Sequence, residues 1–148
     1  MTRTVTVERV IPAPPEAIFD LLADPAMHPV IDGSGTVRAA LDGNPARLAL
    51  GSRFGMAMKI LRPYEMSNEV VEFDEGRLIA WSHIGGAIWR YELEPIAGGT
   101  RVRETFDYSR TTVPLLPWFF RLARFPERNR AGMEKTLERL AELVAPGR

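Results

Sequence analysis

The chain has 148 residues, with 19 Lys+Arg against 19 Asp+Glu, two His and no Cys. That length suits one domain over residues 1–148, large enough to bury roughly two-thirds of its unfolded surface without disulfide or metal staples. The balanced charge argues against nucleic acid as main partner, and the missing cysteine removes disulfides, thiolate metal sites and thiol nucleophiles. With no basic-then-apolar leader and no apolar run long enough to cross a bilayer, the expectation is a soluble, cytoplasmic protein.

Thr2 to Ile11 (TRTVTVERVI) is rich in β-branched residues and reads as a strand. PAPPEAIFDLLADP, Pro12 to Pro25, reads as a short helix. Pro14 and Pro15 pre-set its first turn, Glu16 complements the N-terminal dipole, and Pro25 ends it. A second short helical turn, Ala26 to Ile31, precedes the break Asp32-Gly33-Ser34-Gly35. Six more strands are predicted over Thr36–Leu41, Ser52–Leu61, Tyr64–Phe73, Leu78–His83, Ala87–Glu94 and Thr100–Ser109, joined by connectors rich in Gly, Pro and Asp. The last stretch is helical, because Met133, Leu137, Leu140 and Val144 recur at helical spacing with charged residues between them. From Pro126 to Val144 such a helix spans about 28 Å, enough to cross a sheet. The expected class is α+β. A seven-stranded antiparallel sheet curves around a long C-terminal helix, with two short helices after the first strand.

Charge sets the register of the last two strands. Placing Glu92 opposite Arg103 puts Glu94 opposite Arg101, giving two outward ion pairs. The same register aligns Leu93 with Val102, Trp89 with Phe106 and Tyr91 with Glu104 on the inner face. Glu104 is thereby a carboxylate among aromatics. A three-residue loop, Ile84-Gly85-Gly86, brings Trp81 beside Trp89 on that face, whereas a two-residue loop would turn Trp81 to solvent. Phe54, Met56, Met58 and Ile60 add a further inner row, so the wall is rich in residues that line a ligand pocket as readily as they fill a core.

The segments PAPPEAIFDLLADP, RLIAWSHIGG, WRYELEP and GGTRVRETFDYS, followed by a long C-terminal helix, resemble the START-related SRPBCC superfamily of polyketide cyclase/dehydrase and lipid-transport proteins. The resemblance covers essentially the whole chain and implies the helix-grip fold. Its motifs are structural: Pro14-Pro15-Glu16 starts a helix and Gly98-Gly99-Thr100 makes a turn. Superfamily members include carriers of hydrophobic ligands, aromatase/cyclases and regulators of a heat-shock chaperone. They share no catalytic set, so no catalytic residue is carried over.

Glu104 is either a pocket acid of raised pKa that binds a ligand or moves a proton, or a structural carboxylate tied to Tyr91 or a buried Arg. His83 is the other candidate acid–base residue. It lies two strands and four residues from Glu104, about 16 Å between Cα atoms, so a direct dyad is not expected. Tyr108 shares the His83 row and is its expected partner, and a structural or rim histidine is the plainer reading. His28, in the second short helix, reads as a surface or capping residue near the pocket mouth. Two distant His without Cys give no metal-ligand spacing, and no phosphate loop or nucleophile elbow is present, so no metal or cofactor is expected.

Pro114 to Arg130, PLLPWFFRLARFPERNR, carries Trp118, Phe119 and Phe120 in a row, which one helical stripe cannot bury. Arg110, Arg121, Arg124, Arg128 and Arg130 surround them, so the segment is either a gate with transient membrane or protein contact or a cover over the pocket.

The leading functional reading is binding or carriage of a hydrophobic small molecule (lipid, polyketide or aromatic compound) between sheet and C-terminal helix. The expected ligand-binding residues are Met56, Met58, Trp81, His83, Trp89, Tyr91, Glu104, Phe106, Tyr108, Trp118 and Phe119. The alternatives are a polyketide cyclase or dehydratase, with Glu104, His83 or Tyr108 as proton shuttles, and a membrane- or protein-interaction module.

Overall fold

A computed structural model of the chain describes residues 4–59, 62–83, 86–109 and 125–145. Seven strands form one antiparallel, curved sheet: β1 (Thr4–Ile11), β2 (Val37–Ala40), β3 (Arg53–Lys59), β4 (Pro63–Asp74), β5 (Leu78–Ser82), β6 (Ile88–Ile96) and β7 (Gly99–Asp107). Their spatial order is β1-β7-β6-β5-β4-β3-β2, a meander from β2 to β7 to which β1 adds beyond β7. Between β1 and β2 lie α1 (Pro15–Leu22), a single turn at Pro25–Met27, and α2 (His28–Ile31). The long helix α3 covers Phe125–Leu143. This is the expected α+β helix-grip plan.

Local chemistry explains the boundaries. Pro14 is extended and Pro15 opens α1, where a missing N–H leaves no donor unsatisfied. The Asp24 carboxylate accepts from the Ala26 N–H and caps the next turn. Ile18, Phe19 and Leu22 form the buried face of α1, and Phe19 meets Phe73 edge-on at 5.6 Å. That contact depends on a bulge in β4, where pairing shifts between Val70 and Glu72. The extra residue lets Val70 and Phe73, three apart, both turn inward while Val71 is exposed.

The predicted register of β6 and β7 is the observed one: Trp89 opposite Phe106, Tyr91 opposite Glu104, Leu93 opposite Val102. Arg101 pairs with Glu94 at 2.6 Å as expected. Arg103 does not pair with Glu92. Its guanidinium turns to Glu8 at 2.6 Å, because β1 lies on its other side with Glu8 directly opposite. Trp81 stands opposite Trp89, as a three-residue loop demands.

Met133, Leu137 and Leu140 form the buried stripe of α3, which packs chiefly on β1 and also touches β7 and α2. Arg130 donates to the Thr6 carbonyl at 3.0 Å, tying the helix to that edge. At its other flank, α3 clamps the loop after α2. The Gly33 N–H donates to Thr136 Oγ1 at 2.8 Å, and the Arg139 guanidinium donates to the Asp32 carbonyl. The approach is so close that a Cβ on Gly33 would collide with the Gly132 carbonyl oxygen. Because the helix leans to the β1 side, the inner face of β3 to β6 is left for α2 to cover. No helix among the described residues is long and apolar enough to cross a membrane.

Candidate functional site

On that remaining face lies a pocket of about 170 Å³. Its floor is the sheet: Phe54, Met56 and Met58 from β3, Tyr64, Met66 and Asn68 from β4, Trp81 from β5, Trp89 and Tyr91 from β6, and Glu104 from β7. His28, Ile31 and Asp32 close it from α2 and the residue after it, with Thr136 the contribution of α3. The pocket therefore lies between the sheet and α2 more than between the sheet and the long helix, where the sequence reading put it.

Of the residues singled out from sequence, Met56, Met58, Trp81, His83, Trp89, Tyr91 and Glu104 line this pocket. Phe106 and Tyr108 do not line it; they are buried beside Trp89, Phe106 with its ring 4.4 Å from the indole and Tyr108 stacked on Phe106 at 5.7 Å. Trp118, Phe119 and Phe120 lie outside the described residues. The His83 ring takes a hydrogen bond from the Trp89 indole N–H at 3.0 Å. Strand alternation brings the indole of residue 89 across to the histidine at the strand end. Since indole can only donate, Nε2 is the acceptor in this bond.

His28 corrects the reading of a surface or capping residue. It is 6% exposed, its Nε2–H donates to the Leu22 carbonyl at 2.8 Å, and its ring stacks on Trp81 at 4.8 Å. Burial lowers its pKa from 6.5, the bond to Leu22 only partly opposing, so it is neutral at pH 7. Phe54 stands edge-on to both His28 and Trp81, and Trp81 leans on Tyr91 at 5.6 Å. The result is a continuous aromatic wall running from α2 across β3, β5 and β6.

Glu104 is the polar centre of the site. It is 2% exposed, and among the described residues its Oε1 has no hydrogen-bond partner. Burial pushes its pKa up to about 8 and the nearby Asp32 carboxylate adds to the rise, while the Tyr91 hydroxyl opposes it by hydrogen bonding to the charged form. The carboxyl is therefore mostly protonated at pH 7 and is a donor as well as an acceptor. Asp32 spends its own carboxylate on the loop, accepting from the Val37 N–H at 3.0 Å and from Ser34. Tyr91, buried beside Glu104, is pushed well above its ordinary value and stays a phenol.

His28, Asp32, Tyr64, Met66, Asn68 and Thr136 were not among the candidates. Part of the signal was legible. Tyr64, Met66, Asn68 and Val70 alternate on one face of β4, and Thr136 sits between Met133 and Leu137 on the buried stripe. A larger open groove of about 590 Å³ crosses the outer face of the sheet, but its walls are surface charges such as Glu94 and Arg101, which neutralise one another. Among the described residues no cluster of three His, Asp or Glu side chains could hold a metal ion.

Comparison with known proteins agrees with this architecture. A Mycobacterium tuberculosis protein, Rv0088, is 38% identical over 141 residues, 93% of this chain. The chain spans 62% of the length of that relative. Among solved structures, Ms6760 from Mycobacterium smegmatis superposes with a TM-score of 0.74 at 17% identity, covering 99% of this chain and 94% of that one. The AHSA1-like protein from Aeromonas hydrophila gives 0.64 at 19% identity, with 95% and 91% covered. At such identities the structural likenesses speak for the fold alone. The family model for polyketide cyclase/dehydrase and lipid transport matches residues 2–145, and the chain belongs to that family.

Proposed function

We propose that this chain binds a compact hydrophobic small molecule, aromatic or alicyclic, in the pocket between α2 and strands β3 to β6. The observation that carries the reading is Glu104. Among the described residues one oxygen of this buried carboxyl is unmatched, which costs about 1–3 kcal/mol that a purely structural core would shed. Facing a space walled by Trp81, Trp89, Tyr91 and Met56, it is placed to orient a ligand that the apolar wall holds by area. The volume of about 170 Å³ lies below the roughly 300–1,000 Å³ typical of drug-sized ligands, which favours one or two rings over a two-chain lipid. Carriage, as distinct from binding, belongs to the same proposal.

Native mass spectrometry of freshly purified protein, compared with the same sample denatured, tests this. The expected result is a discrete mass released on denaturation, or failing that a rise in melting temperature with one- or two-ring compounds, abolished by Trp81→Ala. A bare chain mass with no compound raising the melting temperature overturns it.

A second reading is supported by the same carboxyl. A carboxyl that titrates near pH 8 in a largely apolar pocket is suited to give and retake a proton, as enolisation or dehydration of a polyketide-like substrate requires. Loss of turnover in Glu104→Gln with binding retained is the outcome this reading expects; turnover unaffected by the change removes it.

A further inference from the structure

The pocket has a charge sign. Its ionisable lining among the described residues is Asp32, Glu104, His28, His83, Tyr64 and Tyr91, with no Lys or Arg. His28 is kept neutral by burial, and His83 turns its Nε2 as an acceptor to the Trp89 indole N–H. The two tyrosines are phenols at pH 7, since burial raises both. The ionic character of the described lining is therefore negative. Asp32 acts electrostatically on Glu104, and Glu104 lines the space with an oxygen that has no hydrogen-bond partner among the described residues. Trp81, Tyr91 and Phe54 surround the same space, and aromatic faces attract cations.

We propose that the pocket selects amines: a compact aromatic or alicyclic ligand whose ammonium group sits against the Glu104 carboxylate, in the field of Asp32 and the faces of Trp81 and Tyr91. This rests on the pocket being the ligand site and specifies its occupant. An ammonium N–H gives Oε1 a partner, and its charge offsets the burial cost, and the smaller Asp32 repulsion, that keep Glu104 protonated without a ligand. Binding then exchanges one cation for another. The protonated amine enters, Glu104 ionises, and the carboxyl proton leaves to solvent, so charge and protons balance. Among the described residues a carboxylate ligand would meet two acids and no cationic donor.

The test uses benzyl and naphthylmethyl bodies, each as primary amine, primary alcohol and the corresponding aryl carboxylate, titrated calorimetrically at pH 7 in buffers of different ionisation enthalpy. The amine is expected to bind about tenfold more tightly than its alcohol, with release of close to one proton, and the carboxylate not measurably. In Glu104→Gln the preference for amine over alcohol should vanish. An alcohol that binds as tightly as its amine, or an amine that binds without releasing a proton, overturns the amine proposal and leaves the pocket reading standing. If no body of either size binds in any form, the pocket reading itself fails. Proton release is measured on the unaltered protein, so a variant that fails to fold does not blunt the test.

Discussion

Glu104 illustrates how much one side chain can depend on two others. Its Cα position follows from strand pairing with Tyr91, but its ionisation depends on burial, on the Tyr91 hydroxyl and on Asp32 across the pocket. The folded pKa of about 8 lies above the ordinary 4.5, so between those values the folded chain holds a proton that the unfolded chain has lost. Rising pH therefore favours unfolding across that window, by at most about 1.4 kcal/mol per pH unit, and the effect is complete above the folded pKa. Denaturant melts from pH 6.5 to 8.5 should show wild-type stability falling while Glu104→Gln stays nearly level. His28 acts with the opposite sign: its lowered pKa costs stability only as pH drops below its ordinary 6.5. In Tyr91→Phe, the hydrogen bond that favours the charged form is gone. The Glu104 carboxyl should then titrate at higher pH than in wild type, which difference infrared spectroscopy of the carboxyl band can follow.

At the level of elements, the site is set by how α3 holds the loop behind α2. Gly33 and Gly132 let backbone meet backbone, Thr136 and Arg139 bond the loop, and Asp32 is placed as a result. Gly33→Ala should destabilise by about 1–3 kcal/mol, because its Cβ would press on the helix carbonyl rather than on a side chain that can swing away. The check is the midpoint of a urea melt, and ligand affinity should fall with it as Asp32 and His28 shift. The paired strands β6 and β7 were readable from sequence because charge alternation leaves one register that satisfies Glu94 and Arg101 and buries the aromatics. The bulge at Val71 was not readable, since it is chosen by the fit of Phe73 under Phe19, a contact between residues 54 positions apart.

Over the whole molecule, the long helix and the pocket divide the inner face of the sheet between them. Leu137 packs beside Val7 on the β1 side, away from the pocket, whereas Met58 lines it and is only partly buried. Leu137→Ala should cost about 2–5 kcal/mol of stability while leaving the affinity of the folded protein within about threefold. Met58→Ala should do the reverse, losing affinity with the smaller loss of stability. Chemical denaturation and calorimetric titration of the two variants separate these outcomes.

The sequence by itself determined the α+β class, the seven strands, the buried stripe of α3 and the inward placement of Trp81, Tyr91 and Glu104. These depend on periodicity and on near-neighbour pairing, which composition records locally. Tertiary structure decided the rest. The lean of α3 toward β1 opens the pocket over β3 to β6 and brings in α2 as its cover. That packing buries His28 against Trp81, gives His83 to Trp89, turns Arg103 to Glu8 and carries Asp32 into the field of Glu104. Each is a contact between segments whose meeting depends on shape complementarity summed over the whole core, and no stretch of the chain encodes that sum locally.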